Sequence, residues 1–108
     1  MGKGGYLGEF EQRVLLALIR LRDNAYGVTI RREIERRTGR NVSIGAIYTT
    51  LDRLEEKGYV TSHMGDPTPE RGGRAKRFVT ITAAGANALQ ESLRVIAKMR
   101  AGLRLAEG

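Results

Sequence analysis

The sequence predicts a mostly helical α+β fold: three helices, a two-stranded β-hairpin and a longer terminal helix. Three observations carry that prediction. Apolar residues recur at spacings of three and four through residues 7–21, 28–38 and 43–57, the period of an amphipathic helix. Two β-branched, alternating stretches, 59–64 and 76–81, then flank a segment that holds both prolines, Pro67 and Pro69. Finally, Leu89, Ile96 and Leu103 return every seven residues, joined by Leu93 and Met99, as on a helix that seeks a partner along one stripe.

The first helix is built on Leu7, Phe10, Val14, Leu18 and Leu21, with Glu9, Glu11 and Arg13 between them, and Asp23-Asn24 ends it. Leu15, Leu16, Ala17 and Ile19 widen its apolar stripe over most of the circumference, so it should be covered on more than one side. In the second helix Ile30 and Ile34 lie one turn apart, Arg31, Arg32, Arg36 and Arg37 take mostly the other faces, and Gly39 supplies the stop. After Arg40-Asn41-Val42, Ser43 is a good N-cap for a third helix in which Ile44, Ile47, Leu51 and Leu54 form one buried stripe ending at Gly58. Two short helices joined by a tight turn are the helix-turn-helix pattern. The strands at 59–64 and 76–81 enclose a loop at 65–75, too long for a simple turn and so expected to project. Thr82 caps the last helix, expected over 83–106, which at 1.5 Å per residue would reach about 36 Å. The order of elements is that of a winged helix-turn-helix: a loose tail at 1–5, the module at 6–82, and a dimerisation helix at 83–108.

Composition narrows the chemistry. Among 108 residues, 19 Lys and Arg against 12 Asp and Glu give a net charge of +7, which favours a polyanionic partner, nucleic acid before an anionic membrane. The longest apolar run, Val14 to Ile19, falls far short of the roughly 20 residues a membrane span needs, and a cytoplasmic location is expected. Without cysteine there is no disulfide, zinc-thiolate or thiol chemistry, and the single His63 builds no multi-histidine metal site. No metal or cofactor is expected. Nor is enzymatic function, because no base is placed to activate a nucleophile. Lookalike signals for myristoylation at Gly2 and glycosylation at Asn41 lack the Ser/Thr and the secretory leader they require.

The third helix is therefore the candidate for reading duplex DNA. With its apolar stripe inward, Ser43, Gly45, Ala46, Tyr48, Thr49 and Arg53 fall on or near the outward side, small enough for close approach or able to reach base edges and phosphates. Asp52 would repel phosphate and is assigned to an intraprotein pair or a cytosine amino contact. Arg71, Arg74, Lys76 and Arg77 bracket Gly72-Gly73 in the hairpin, as a wing that lies along a groove of negative potential. Arg31, Arg32, Arg36, Arg37 and Arg40 are either a backbone-crossing set or a solvated face. A seam to a second copy is expected from Phe10, Val14, Leu89, Leu93, Ile96, Met99 and Leu103. Two other functions are compatible with these residues: a sensor with a hydrophobic pocket between subunits, lined by Leu89, Leu93, Ile96 and Met99, for a small aromatic effector, and a nonspecific architectural or RNA-binding module.

Several strings resemble the PadR-like transcriptional regulators from about Leu7 to Leu89. They are Ala25-Tyr26-Gly27-Val28-Thr29-Ile30, the run from Ser43 through Tyr48, Leu51, Leu54 and Glu55 to Gly58, Gly72-Gly73-Arg74-Ala75-Lys76-Arg77-Phe78, and Ile81-Thr82-Ala83-Ala84-Gly85. The resemblance implies a homodimeric repressor on an inverted repeat near its own promoter, joined by the terminal helix packed against the partner's first helix. It also implies that Ser43, Gly45, Tyr48, Thr49 and Arg53 lie near DNA and that Arg74, Lys76 and Arg77 belong to the wing. The chain departs from the family in two places: Phe78-Val79 stands where a Tyr-Tyr pair is frequent, and there is no Trp of the kind some short members use to stack flat ligands.

Overall fold

A computed structural model describes residues 7–65 and 75–105. The elements are α1 (Glu9–Leu21), a 3₁₀ turn (Arg22–Asn24), α2 (Gly27–Thr38), α3 (Ile44–Glu56), β1 (Val60–Met64), β2 (Arg77–Ile81) and α4 (Ala83–Arg100). The tail expected at 1–5 and the hairpin tip at 66–74, with Arg71 and Arg74, lie outside the described residues.

Local chemistry explains the boundaries. Gly39 ends α2 in the left-handed conformation at φ +71°, which a side chain rarely adopts. The Ser43 hydroxyl accepts the Ala46 amide at 3.0 Å and so caps α3. At α1, the Glu11 carboxylate accepts the Gly8 amide at 2.7 Å and the Lys57 ammonium at 2.9 and 3.0 Å, tying the start of α1 to the end of α3. Glu11, which the sequence places between the apolar positions of α1, is buried, and the Gly8 amide and the Lys57 ammonium satisfy its carboxylate.

Helices α1, α2 and α3 pack as a trihelical unit around Val14, Leu15, Ile30, Ile47, Leu51 and Leu54, all wholly buried. Thr50 joins this buried set, and Ile44, expected in it, is only half-buried at its edge. The antiparallel hairpin pairs Val60 with Ile81 and Met64 with Arg77, turning Val60 and Val79 inward. The Val79 amide also donates to the Ala25 carbonyl at 2.9 Å, which stitches β2 to the segment after α1. Gly85 and Leu89 are buried with these elements, so the packed unit runs into the first turns of α4.

The terminal helix is shorter than expected. It ends at Arg100, where Ala101 turns to ψ 131° and Gly102 takes φ +83°, so its length is about 27 Å and Leu103 lies beyond it. The seven-residue repeat is thereby cut before Leu103. Among the described residues, no helix is long and apolar enough to cross a membrane.

Candidate nucleic-acid interface

Because Ile47, Leu51 and Leu54 anchor α3 inward, its opposite flank is presented to solvent. Ser43, Gly45, Ala46, Tyr48, Thr49 and Arg53 are all exposed on that flank. Tyr48 is held from below. A Cβ on Gly27 would come within 2.5 Å of the Tyr48 hydroxyl, so glycine at the start of α2 leaves room for the ring where it lies. The Tyr26-Gly27 string thus has a structural reason: Gly27 seats Tyr48, and the Tyr26 amide donates to the Thr29 hydroxyl at 3.0 Å to cap α2. Gly27 has no charge or hydroxyl to single it out in the sequence.

At the base of the hairpin, aromatic rings pack β1 and β2 against the start of α2. Phe78 meets Tyr26 edge-on with centroids 5.4 Å apart, His63 stacks on Phe78 at 5.7 Å, and the Lys76 ammonium sits 5.2 Å from the Tyr26 centroid. Lys76 therefore leaves the body at a fixed place beside the N-terminus of α2.

Arg77 is engaged differently from the expectation of a free phosphate ligand. Its guanidinium donates to Asp52 Oδ1 at 3.0 Å and to Glu55 Oε1 at 2.7 Å, bridging β2 to the reading helix. Asp52 thereby takes the intraprotein pair. In α2, Arg36 and Arg37 grip the buried Glu33 carboxylate, and Arg40, beyond the Gly39 cap, is exposed.

These contacts shift two carboxyls. The hydrogen bond from Arg37 holds Glu33 below its ordinary 4.5, against the opposing effect of burial and with a further bond from Arg36. Glu55 is lowered from 4.5 by the hydrogen bond from Arg77 and then by that from Ser62. A carboxyl whose pKa is depressed on folding stabilises the fold above its unfolded value, and that contribution disappears as pH falls through the folded value. Urea midpoints measured on acidification below about pH 5 should therefore decline, and Glu33→Gln combined with Glu55→Gln should flatten the decline. An unchanged acid profile in the double variant would contradict this assignment.

The expected seam divides into residues the protomer uses itself and residues it leaves bare. Val14 and Leu89 lie inside the protomer's own core, because α1 and the start of α4 pack on each other, and they cannot form a seam as expected. Phe10 is half-buried against the same core. In contrast, Leu93, Ile96 and Met99 are 42%, 52% and 73% exposed, alongside Val95, and Leu16 and Ile19 of α1 are also bare. Leu103 is exposed beyond the helix end.

Comparison with known proteins agrees with this arrangement. Residues 15–91 match the transcriptional regulator PadR-like family. The chain is 34% identical over 98 residues to the transcriptional regulator YqjI of Escherichia coli, covering 84% of this chain and 44% of that protein, so it spans about half the length of that relative. Among solved structures, a transcriptional regulator from Clostridium thermocellum superposes with TM-score 0.71 at 23% identity, over 89% of this chain and 87% of that one. Bacillus subtilis PadR in complex with operator DNA superposes with TM-score 0.64 at 18% identity, over 93% of this chain and 50% of that one. With helix-turn-helix, hairpin and terminal helix in this order and the family pattern running from α1 into α4, the chain belongs to the PadR-like family of transcriptional regulators.

Proposed function

We propose that this regulator is a sequence-specific repressor that binds an inverted repeat as a homodimer. The observation that carries the reading is the outward flank of α3, where exposed Thr49, Tyr48, Arg53 and the small Gly45 and Ala46 lie opposite a wholly buried stripe. Small residues admit the helix to a major groove, a hydroxyl bonds to base edges or phosphate, and an arginine reaches either. The bare apolar stripe of α4 supports the dimer, which would place two such helices about 34 Å apart on one face of the duplex. The family supports transcription control as the setting. Repression follows from occupancy of a promoter-proximal site.

Selection of bound duplexes from a random pool tests this reading. The expected product is a palindrome whose half-sites are about one helical turn apart; enrichment of no motif would leave only nonspecific binding. Within the wing, Arg71→Ala combined with Arg74→Ala should reduce the salt slope of binding by up to about two units, one for each phosphate released. Titration across a salt series measures that slope, and an unchanged value removes both residues from the contact set.

A further inference from the structure

The reading helix carries a carboxylate where DNA binding should forbid one. Asp52 lies on the exposed flank of α3, one residue before Arg53 and one turn after Tyr48 and Thr49, and its side chain is 69% exposed. A lone carboxylate within a few ångströms of the phosphate backbone would cost affinity by simple repulsion. The structure gives it a neighbour instead. Arg77, the first residue of β2, reaches back across the hairpin so that one guanidinium nitrogen meets Asp52 and the other meets Glu55, one turn further along α3. Ser62 of β1 donates to the same Glu55 oxygen at 2.9 Å, so both strands of the hairpin converge on this turn of the reading helix. The Arg77 side chain is only 25% exposed.

We propose that Arg77 is a positioning residue, the internal counter-ion of the reading helix, which offsets part of the Asp52 and Glu55 charge at the DNA face and latches β2 to α3. The proposal rests on the DNA-binding reading. It reassigns Arg77 from phosphate ligand to latch and explains how Asp52 is tolerated. A planar fork suits this task, since it spans two carboxylates at once, whereas a lysine is a point charge that satisfies one. The latch also couples the two DNA-contacting elements. The two strands and α3 then approach the duplex as one unit, and less ordering of these elements is left to be done on binding.

A double-mutant cycle read by DNA affinity tests the proposal. The probe is a short random-sequence DNA duplex, titrated by fluorescence anisotropy over a sodium chloride series with the full chain. Arg77→Ala uncovers the carboxylate and should weaken binding about tenfold. Asp52→Asn alone should change affinity less than Arg77→Ala does, because Arg77 already offsets part of its charge. In the Arg77→Ala background the same Asp52→Asn change should recover most of the loss. Arg77→Lys should fall between parent and Arg77→Ala, and it provides the same comparison if the alanine variant folds poorly. If the two changes add independently, and the salt slope falls by about one unit whenever Arg77 is removed, Arg77 is a phosphate ligand and the proposal is overturned. A parent chain that binds neither this duplex nor any duplex selected from a random pool would overturn the DNA-binding reading itself, and the latch with it.

Discussion

Gly85→Ala should destabilise the fold by about 2 to 3 kcal/mol, because this glycine makes the tightest approach among the described ones. A Cβ at this position would lie 2.2 Å from the Tyr59 carbonyl oxygen and 3.0 Å from its carbon, and backbone cannot swing aside as a flexible side chain can. That carbonyl is also fixed by what it does. It accepts the Thr82 amide at 3.0 Å, while the Tyr59 amide donates to the Leu54 carbonyl at 2.9 Å and so closes the end of α3. Thr82 in turn donates its hydroxyl proton to the Gly58 carbonyl at 2.8 Å and accepts the Gly85 amide at 3.0 Å. Displacing Tyr59 therefore loosens the start of α4 and the end of the reading helix together. A thermal midpoint lowered by more than about 10 °C is the expected reading for a domain of this size, and a shift of only a few degrees would contradict it.

The same substitution at Gly45 should have the opposite sign. No atom lies within 4 Å of a Cβ there, and the residue sits in the first turn of α3 with no left-handed backbone to strain. Alanine is the better helix former by up to about 1 kcal/mol, so Gly45→Ala should melt later, not earlier. Gly45 is therefore no requirement of the fold. Its smallness matters only at the exposed flank, which is where a duplex would approach.

This contrast marks what the sequence made legible and what it did not. Periodicity placed all four helices and both strands, because a stripe such as Ile47, Leu51 and Leu54 states directly which flank of α3 is buried and which is open. The glycine stops at Gly39 and Gly58 were equally readable, since positive φ is a local property. Contacts distant in sequence were not. Glu11 and Lys57 are 46 residues apart and Arg77 and Asp52 are 25 apart, so nothing in either local pattern announces the ion pairs they form. Val14 and Leu89 failed for a related reason. An apolar stripe shows that a residue is covered, and only the packing of α1 on α4 shows that the cover is the protomer itself.

The seam that remains after this sorting leads to the second large prediction, which concerns Ile96. On the proposed homodimer, replacing it with Glu should separate the two copies and lower affinity for a two-half-site operator by a factor of about 10² to 10⁴, the gain that linking two binding modules provides. The side chain is 52% exposed within the protomer, so the substitution removes little of the protomer's own packing. A charge at the centre of an apolar contact between copies, by contrast, would be buried without a partner. Sedimentation of parent and variant at equal concentration checks the first half, and titration against one and two half-sites checks the second. Salt adds a discriminating control. Arg94, Lys98 and Arg100 lie on the same helix, and each protomer carries +7, so association of two copies brings like charges together over an apolar contact. Raising salt should therefore strengthen the dimer by screening that repulsion while weakening DNA binding by counterion competition. A dimer that dissociates as salt rises would mean that ion pairs hold the copies together, and the stripe of Leu93, Ile96 and Met99 would then not be the surface that joins them.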